Sequence, residues 1–375
     1  MSAPLRVLLA NDHLGWGGTV LHGVGQLFLL SIPRFDPARA RIVPVILRRR
    51  DALADRFDRA GIPLRFLARR RFDPRTLFDF RRLIRDEKID VMHVQGYAAG
   101  TFGRLASAMT GVPCVLTVHS VDPRYPRYMG IADRLLAGRT ARCLVMNESL
   151  RRFCVAACRV PAERIEKVPL GIDLSRFDPE RAPSRAAARR ALGIDPEATV
   201  VGTVTRLFEQ KGNRYLLEAM AKVPGATLVV AGDGPLRGEL EGEAARLGIA
   251  GRVLFLGFRD DVPLVLRALD VAVIASLWEA TPLTSFEALA AGAALVATRV
   301  DGLAETLEDG RTALLVPPAD APALAAAIAR LLSDAALRER LGAAARAESA
   351  SYSIDAHVAR LTAVYEAVAA EAGKR

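Results

Sequence analysis

The stretch PLGIDLSRFDPERAPSR, residues 169–185, divides the sequence into two similar parts. It is rich in proline and charged residues, which is typical of a linker and not of a buried element. On both sides of it, short apolar runs alternate with longer stretches that have the periodicity of helices. A chain of 375 residues is also long for a single hydrophobic core, so we expect two domains.

The apolar runs predict two parallel β-sheets, because each run is short and bounded by polar or turn residues. Before the linker the runs are RVLLA (6–10), RIVPVIL (41–47), PLRFLA (63–68), DVMHVQ (90–95), PCVLTVH (113–119) and RCLVMN (142–147). After it they are VVGTVTR (200–206), ATLVVAGDG (226–234), RVLFLGF (252–258), VAVIAS (271–276), ALVATR (294–299) and TALLVPP (312–318). The helical patterns include residues 18–33, 73–88, 98–110, 320–333, 335–347 and 354–372.

This alternation predicts an α/β chain of two Rossmann-like, doubly wound domains. We place the N-terminal domain at residues 1–168, the linker at 169–185 and the C-terminal domain at 186–352. Residues 353–375 are predicted to form a helix that packs back toward the N-terminal domain. Ligands of such sheets bind beyond the carboxyl ends of the strands, so we expect the active site in the cleft between the two domains.

Basic residues are concentrated in the N-terminal half of the chain. Residues 1–180 contain 30 Lys and Arg against 18 Asp and Glu, and the remainder contains 22 against 24. A basic half favours an anionic partner, such as an acidic lipid headgroup or a phosphorylated carrier. Codon bias is the alternative, because only five of the 52 basic residues are lysine. No basic motif is interleaved with aromatic residues, so we expect no nucleic-acid partner.

The N-terminal segment MSAPLRVLLANDH is unlike a signal peptide, and no apolar run reaches the ~18 residues of a membrane span. We therefore expect a cytoplasmic protein, with peripheral contact at the inner face of the membrane if the basic half binds lipid. The four cysteines are Cys114, Cys143, Cys154 and Cys158, and no histidine stands at metal-ligand spacing from Cys154 and Cys158, which would share one face of a helix. They are predicted to be buried free thiols, and we expect no metal and no cofactor.

Three segments carry candidate chemistry. The first is NDHLGWGG, residues 11–18, which follows the first strand and precedes a predicted helix. Its glycines allow close backbone approach, and a helix N-terminus favours an anion. The segment is not a G-x-G-x-x-G motif, so an ordinary turn is the alternative to phosphate contact.

The second segment is RLFEQKG, residues 206–212, after the first strand of the C-terminal domain. Arg206 and Lys211 place two cations at a strand end, which suits the neutralisation of a departing diphosphate. A solvated turn is the alternative.

The third segment is ASLWEATPLTSFEALAAG, residues 275–292. Glu279 lies in the loop after a strand, and Glu287 lies one turn into the next helix. Their carboxylates are suited to accept hydrogen bonds from hydroxyls, while the loop amides hold phosphate or sugar oxygens. An exposed loop acid is the alternative for Glu279. For Glu287 the alternative is a capping box with Thr284.

At this point the residues resemble a known family. The spacing of Glu279 and Glu287 matches the E-x7-E motif of the family 4 glycosyltransferases, which have the GT-B fold of two Rossmann-like domains facing across a cleft. Further similar motifs are Arg206…Lys211-Gly212, Gly232-Asp233-Gly234-Pro235, Pro169-Leu170-Gly171-Ile172-Asp173, Asp301-Gly302-Leu303-Ala304-Glu305, Asp309-Gly310, Gly17-Gly18 and Val118-His119. Ala280 and Asp301 depart from the family pattern, in which glycine is common at both positions.

The resemblance implies a role for each of these residues. Arg206, Lys211, Glu279 and His119 would be catalytic: the two cations would bind the donor diphosphate, and Glu279 and His119 would hold the transferred sugar. The implied donor-binding residues are Gly17, Gly18, Gly232, Phe258, Arg259, Ala280, Thr281, Pro282, Leu283, Glu287 and Glu305, with Glu287 on the ribose and Phe258 and Arg259 beside the base. Trp16, Tyr97 and Tyr125 are candidates for acceptor binding.

The implied activity is retaining transfer of a sugar from a UDP- or GDP-sugar to a glycan or lipid-linked acceptor, in envelope or polysaccharide biosynthesis. In the family the leaving phosphate oxygen takes the acceptor's proton, so no side-chain nucleophile is required. The sequence has no D-x-D pair, which fits independence from metal. The alternatives are a small soluble acceptor, a different two-domain enzyme such as an epimerase or phosphorylase, and a non-catalytic nucleotide-sugar-binding protein.

Overall fold

The structure is a computed structural model that describes residues 3–16, 20–21, 23–119 and 127–373, with the backbone alone at residues 16, 20 and 127. The chain forms two units, Met1–Gly171 with Ile354–Arg375, and Ile172–Ser353. The division after Gly171 falls inside the segment predicted as a linker. Two parallel sheets with intervening helices confirm the predicted fold class.

The first unit contains a seven-stranded parallel sheet in the order β5-β4-β1-β6-β7-β8-β9. Its strands are β1 (Leu5–Asn11), β4 (Ala40–Ile46), β5 (Arg65–Phe66), β6 (Val91–Gln95), β7 (Cys114–Val118), β8 (Arg142–Val145) and β9 (Ile165–Lys167), and the short strands β2 (Gly15–Trp16) and β3 (Val20–Leu21) form a separate pair. Its helices are α1 (Gly23–Ser31), α2 (Ala54–Arg59), α3 (Arg75–Asp86), α4 (Tyr97–Thr110), α5 (Arg127–Leu136) and α6 (Glu148–Ala156). β1 and β6 lie inside the sheet and are mostly buried, as their predominantly apolar sequences predict.

The prediction of a helix over residues 18–33 is wrong at its N-terminal end. Residues Gly15–Trp16 pair with Val20–Leu21 in antiparallel register, and α1 begins only at Gly23. Glycine and β-branched residues have low helix propensity, which favours the short hairpin over an earlier helix start. The segment of residues 11–18 therefore contains strand β2 and does not lead directly into a helix N-terminus.

The second unit contains a six-stranded parallel sheet in the order β12-β11-β10-β13-β14-β15. Its strands are β10 (Thr199–Val204), β11 (Ala226–Ala231), β12 (Val253–Gly257), β13 (Val271–Ile274), β14 (Leu295–Thr298) and β15 (Leu314–Val316). Its helices are α7 (Arg185–Ala191), α8 (Asn213–Ala221), α9 (Arg237–Arg246), α10 (Val262–Ala268), α11 (Leu283–Ala291), α12 (Asp301–Thr306), α13 (Ala321–Ser333) and α14 (Ala335–Ser349). The sheet order reverses at β10 and β13, and the second and third candidate segments follow these two strands. Crevices at such a reversal are where ligands of doubly wound sheets bind.

The last helix, α15 (Ile354–Gly373), belongs to the first unit. Val358, Leu361 and Tyr365 of α15 pack in one core cluster with Val91 and Val115 of the sheet. The buried Tyr365 hydroxyl lies 2.6 Å from His93 Nδ1, and the Tyr365 ring stacks on Phe35 at 6.1 Å. Residues that precede and residues that follow the second unit in the sequence therefore share one core.

The four cysteines are free and buried in the first unit, as predicted. Burial raises the pKa of the Cys114 thiol to about 12, so this thiol is held in its protonated form. Within the described residues, no cluster of three or more His, Cys, Asp or Glu side chains is arranged to hold a metal ion.

Candidate functional site

The loop that carries Arg206 leaves the carboxyl end of β10 and is fixed by the turn after β11. The Thr205 amide donates to the Ala231 carbonyl at 2.9 Å, and the Leu207 amide donates to the Asp233 carbonyl at 2.9 Å. Gly232 adopts φ +143°, and a Cβ at this position would overlap the Thr205 carbonyl oxygen. The glycine of this turn is therefore required for its close approach to the Arg206 loop.

Lys211 and Glu279 are brought together from two separate loops. Lys211 ends a single 3₁₀ turn, Glu209–Lys211, while Glu279 lies in the loop after β13. The Lys211 ammonium donates a hydrogen bond to Glu279 Oε1. Their side chains are only 11% and 7% exposed, so the ion pair is largely removed from water. Two residues predicted for one site are thus in direct contact, although 68 positions separate them.

Two further side chains hold the Glu279 carboxylate, and sequence reasoning missed both. Ser276 Oγ donates to Glu279 Oε1 at 3.0 Å. Gln210 Nε2 lies 3.4 Å from Glu279 Oε2 and donates to the Trp278 carbonyl at 3.0 Å. Both residues lie inside the quoted candidate segments, but nothing in the sequence separates them from ordinary loop residues. Ser276 contacts one carboxylate oxygen of Glu279 and Gln210 contacts the other, so both oxygens of this side chain are held.

Arg206 lies near the start of the same loop. Its side chain is partly exposed, and its guanidinium carbon lies 5.2 Å from the centre of the Phe208 ring. Within the part of the chain that the structure describes, no acidic side chain pairs with it. Among the described residues, the Arg206 guanidinium thus lacks a carboxylate partner, whereas the Lys211 ammonium uses one of its three donors on Glu279.

The loop from Glu279 to Leu283 leads into α11. Pro282 is the N-cap of this helix, and the amides of a first helical turn lack partners within their own helix. Helix α12 packs closely against this loop. The Gly302 amide donates to the Glu279 carbonyl at 3.1 Å, and a Cβ at Gly302 would overlap the Ala280 carbonyl oxygen. Ala280, Thr281, Pro282 and Leu283 consequently form a fixed loop at a helix N-terminus, which is a favourable place for an anion.

Glu287 does not form a capping box with Thr284. The helix begins at Leu283, so Thr284 is already helical, and no side chain caps the N-terminus. The carboxyl of Glu287 instead lines a small cavity with apolar side chains that include Val204, Leu266 and Ile274. Burial raises its pKa to about 7, against a smaller lowering by Arg176. A carboxyl in this setting titrates near neutral pH.

The other candidates of the second unit lie around the ends of β12 and α12. Phe258 is exposed directly after β12, and the Arg259 guanidinium donates to both oxygens of Asp261 at 2.8 and 2.5 Å. This pairing raises the pKa of Arg259 and ties its head group to Asp261. Glu305 is exposed on α12.

In the first unit, His119 follows β7 and its Nε2 lies 2.6 Å from Gln95 Oε1 at the end of β6. Tyr97 begins α4 and contacts the Phe72 ring edge-on at 5.6 Å. Trp16 is described only as part of a short strand. Gly17, Gly18 and Tyr125 lie outside the described residues.

The sequence matches two family descriptions, one in each half. Residues 34–176 match "Glycosyltransferase Family 4", and residues 184–348 match "Glycosyl transferases group 1". The D-inositol 3-phosphate glycosyltransferase of Salinispora arenicola (strain CNS-205) is 31% identical over 312 residues, which cover 75% of this chain and 69% of that protein. The chain therefore belongs to the family 4 glycosyltransferases.

Other relatives show the breadth of this family. The UDP-Gal:alpha-D-GlcNAc-diphosphoundecaprenol alpha-1,3-galactosyltransferase of Escherichia coli is 29% identical over 245 residues, 61% of this chain and 63% of that protein. The match thus spans less than two thirds of that relative. The crystal structure of Anabaena Alr3699/HepE in complex with UDP superposes with a TM-score of 0.84 at 21% identity, covering 97% of this chain and 100% of that one. At this identity the likeness concerns the fold, which is GT-B.

Proposed function

We propose that the chain transfers a sugar from a nucleotide-diphosphate sugar to a hydroxyl of a glycan or lipid-linked acceptor, with retention of anomeric configuration and without a metal ion. The contact between Lys211 and Glu279 carries this proposal. It joins the cation-bearing segment to the acidic segment at the strand ends where the sheet order reverses, as a site for a sugar diphosphate requires.

The chemistry follows from the charges. When the glycosidic bond breaks, negative charge develops on the departing diphosphate, and fixed positive charge lowers that barrier. Arg206, the Lys211 ammonium and the N-terminus of α11 supply this charge from one unit. Glu279, which is held by Ser276, would orient the sugar hydroxyls rather than act as a nucleophile.

The acceptor and the cellular role are inferred from chemistry and from relatives. One relative is named for a diphosphoundecaprenol acceptor and others for D-inositol 3-phosphate, and both acceptors carry phosphate. The excess of basic residues in the N-terminal half suits such acceptors and an anionic membrane beside them. We therefore propose a role in envelope or polysaccharide biosynthesis, with peripheral contact at the inner face of the membrane. Among the described residues, no helix has both the length and the apolarity needed to cross a bilayer.

Nucleotide binding tests the proposal directly. At 100 times the dissociation constant, the matching nucleotide diphosphate is expected to stabilise the fold by about 2.7 kcal/mol. We expect UDP or GDP to raise the thermal midpoint measured by fluorimetry, with ADP as the comparison. Incubation with the matching sugar donor and phosphorylated acceptors should then release nucleotide diphosphate. Release without a glycosylated product, interconversion of the donor sugar, or binding without any turnover would contradict glycosyl transfer.

The Glu287 carboxyl makes nucleotide binding depend on pH. If the ionised form accepts hydrogen bonds from the ribose, affinity should fall as the pH drops below its pKa of about 7, approaching tenfold per pH unit. Calorimetric titration of wild type and Glu287→Gln between pH 5.5 and 8.5 measures this, because the nucleotide's own phosphate titrates identically in both. We expect the pH-dependent difference to disappear in Glu287→Gln. Parallel profiles for the two proteins would show that Glu287 does not contact the nucleotide.

A further inference from the structure

Helix α5 presents a row of large apolar side chains to solvent. Tyr128, Ile131 and Leu135 are 57%, 58% and 78% exposed. Their spacing of three and four residues places them on one side of the helix. Single exposed apolar residues are ordinary, but three aligned on one helix mark an interaction surface. We call these three residues the α5 stripe.

The rest of α5 is anchored in the first unit. Met129 is buried, and the carboxylate of Asp133 forms an ion pair with Arg104, whose side chain is only 1% exposed. Arg134 Nε donates to the Ala157 carbonyl at 3.0 Å. The other faces of α5 therefore pack against the first unit. The α5 stripe is exposed although the helix itself is packed in place.

Basic residues accompany the stripe: Arg134 of α5 itself is exposed. The sequence of residues 127–164 contains eight arginines against three acidic residues, although Arg142 and Arg151 are paired with Glu371 and Glu148. One of these acids, Asp133, is buried and paired with Arg104. The Tyr128 ring contacts the Phe72 ring edge-on at 6.3 Å, and the Arg71 guanidinium lies 5.2 Å from the centre of Phe72. The stripe thus lies next to a loop that contains Arg69, Arg70 and Arg71.

We propose that the α5 stripe docks the chain on the surface of an anionic lipid bilayer. Apolar side chains on one side of a helix with cationic neighbours are the features of a helix that lies in the plane of a lipid interface. Two copies of the chain placed stripe to stripe would bring their arginines together, whereas acidic headgroups neutralise them. With ten residues, α5 is far too short to span the membrane and lies on it.

This inference deepens the proposed function. It rests on that function, because transfer to a lipid-linked acceptor is the reason for the chain to bind a bilayer. A lipid-linked acceptor is confined to the membrane surface, and a docked first unit would meet it there. The docking itself requires neither donor nor turnover. Its test is therefore separable from the test of glycosyl transfer.

Vesicle co-sedimentation of the full chain measures the docking. We expect partitioning onto vesicles of phosphatidylglycerol and phosphatidylcholine, and little onto phosphatidylcholine alone. The double variant Ile131→Glu/Leu135→Glu should lower the partition coefficient by on the order of tenfold or more, because two apolar anchors are lost and charge is added. Leu135→Ser, at the most exposed of the three positions, should show a smaller loss without added charge.

The matched control adds the same two charges elsewhere. Ala326 and Ala329 are exposed on α13 of the second unit, so Ala326→Glu/Ala329→Glu should bind vesicles as wild type does. Lys211→Ala should also keep full vesicle binding while it loses turnover. Equal partitioning of wild type and both α5 variants, or equal binding to neutral vesicles, would overturn the proposal. Concentration-dependent dimerisation that the α5 variants abolish would instead assign the stripe to a second copy of the chain.

Discussion

Replacing Lys211 by alanine is expected to lower kcat by on the order of 10²-fold or more, as removal of one fixed charge-stabilising group does. The ammonium is held against Glu279 in surroundings that exclude most water, where a charge acts more strongly than in solution. Steady-state assay of nucleotide diphosphate release measures the effect. Arg206→Ala and Glu279→Ala are expected to lower turnover to a similar extent.

Lys211→Ala is also expected to lower the stability of the fold. Its effects on stability and on turnover must therefore be measured separately. Loss of one partner leaves the buried Glu279 carboxylate without its counter-charge, at a cost of about 3–5 kcal/mol, although Ser276 still donates to it. The double variant Lys211→Met/Glu279→Gln removes both charges and should regain most of the lost stability without regaining turnover. Lys222→Ala, at an exposed position after α8, is the matched control and should resemble wild type in both. Turnover near the wild-type value in the folded Lys211 variant would show that the site is misplaced.

Gly232→Ala is expected to destabilise the second unit by on the order of 3 kcal/mol or more. The added Cβ would overlap the Thr205 carbonyl oxygen, and φ of +143° is unfavourable for alanine. The backbone on either side must move, and with it the loop that carries Arg206. Chemical denaturation measures the loss of stability, and nucleotide titration measures the accompanying loss of affinity.

A second glycine provides the comparison for this prediction. Gly238 lies in α9, where an added Cβ meets no atom within 4 Å. Gly238→Ala should therefore leave stability unchanged or raise it by about 0.4–1 kcal/mol, through the entropy of the unfolded chain. An unfolding midpoint for Gly232→Ala as high as that of Gly238→Ala would show that the turn can open without cost.

Much of the fold follows from the sequence, because strands buried on both faces leave a simple apolar pattern. The runs at residues 6–10 and 200–206 coincide with β1 and β10 within a residue or two. The hairpin of residues 15–16 and 20–21 could not be predicted in the same way. Each strand has only two residues, too few to show any alternation.

The sequence indicates which segments contribute to the candidate site, but not which of their side chains contact each other. Periodicity places Lys211 and Glu279 at strand ends, but their pairing depends on the order β10-β13 in the sheet. The capping box with Thr284, which was the alternative for Glu287, is not formed. Thr284 and Glu287 have the spacing of such a box, yet the N-cap of the helix is Pro282, two residues before Thr284. The raised pKa of Glu287 arises from burial among residues of α10 and three strands, which no local pattern reveals.

The position of α15 has a consequence for the order in which the chain matures. During synthesis the strands of the first unit leave the ribosome before the second unit, but Val358, Leu361 and Tyr365 follow the second unit. The second unit is continuous from Ile172 to Ser353, so all of its own residues are present before α15 appears. The first unit is thus completed only after the second, and a nascent chain stopped before Ile354 lacks all the α15 side chains that pack against the sheet of the first unit.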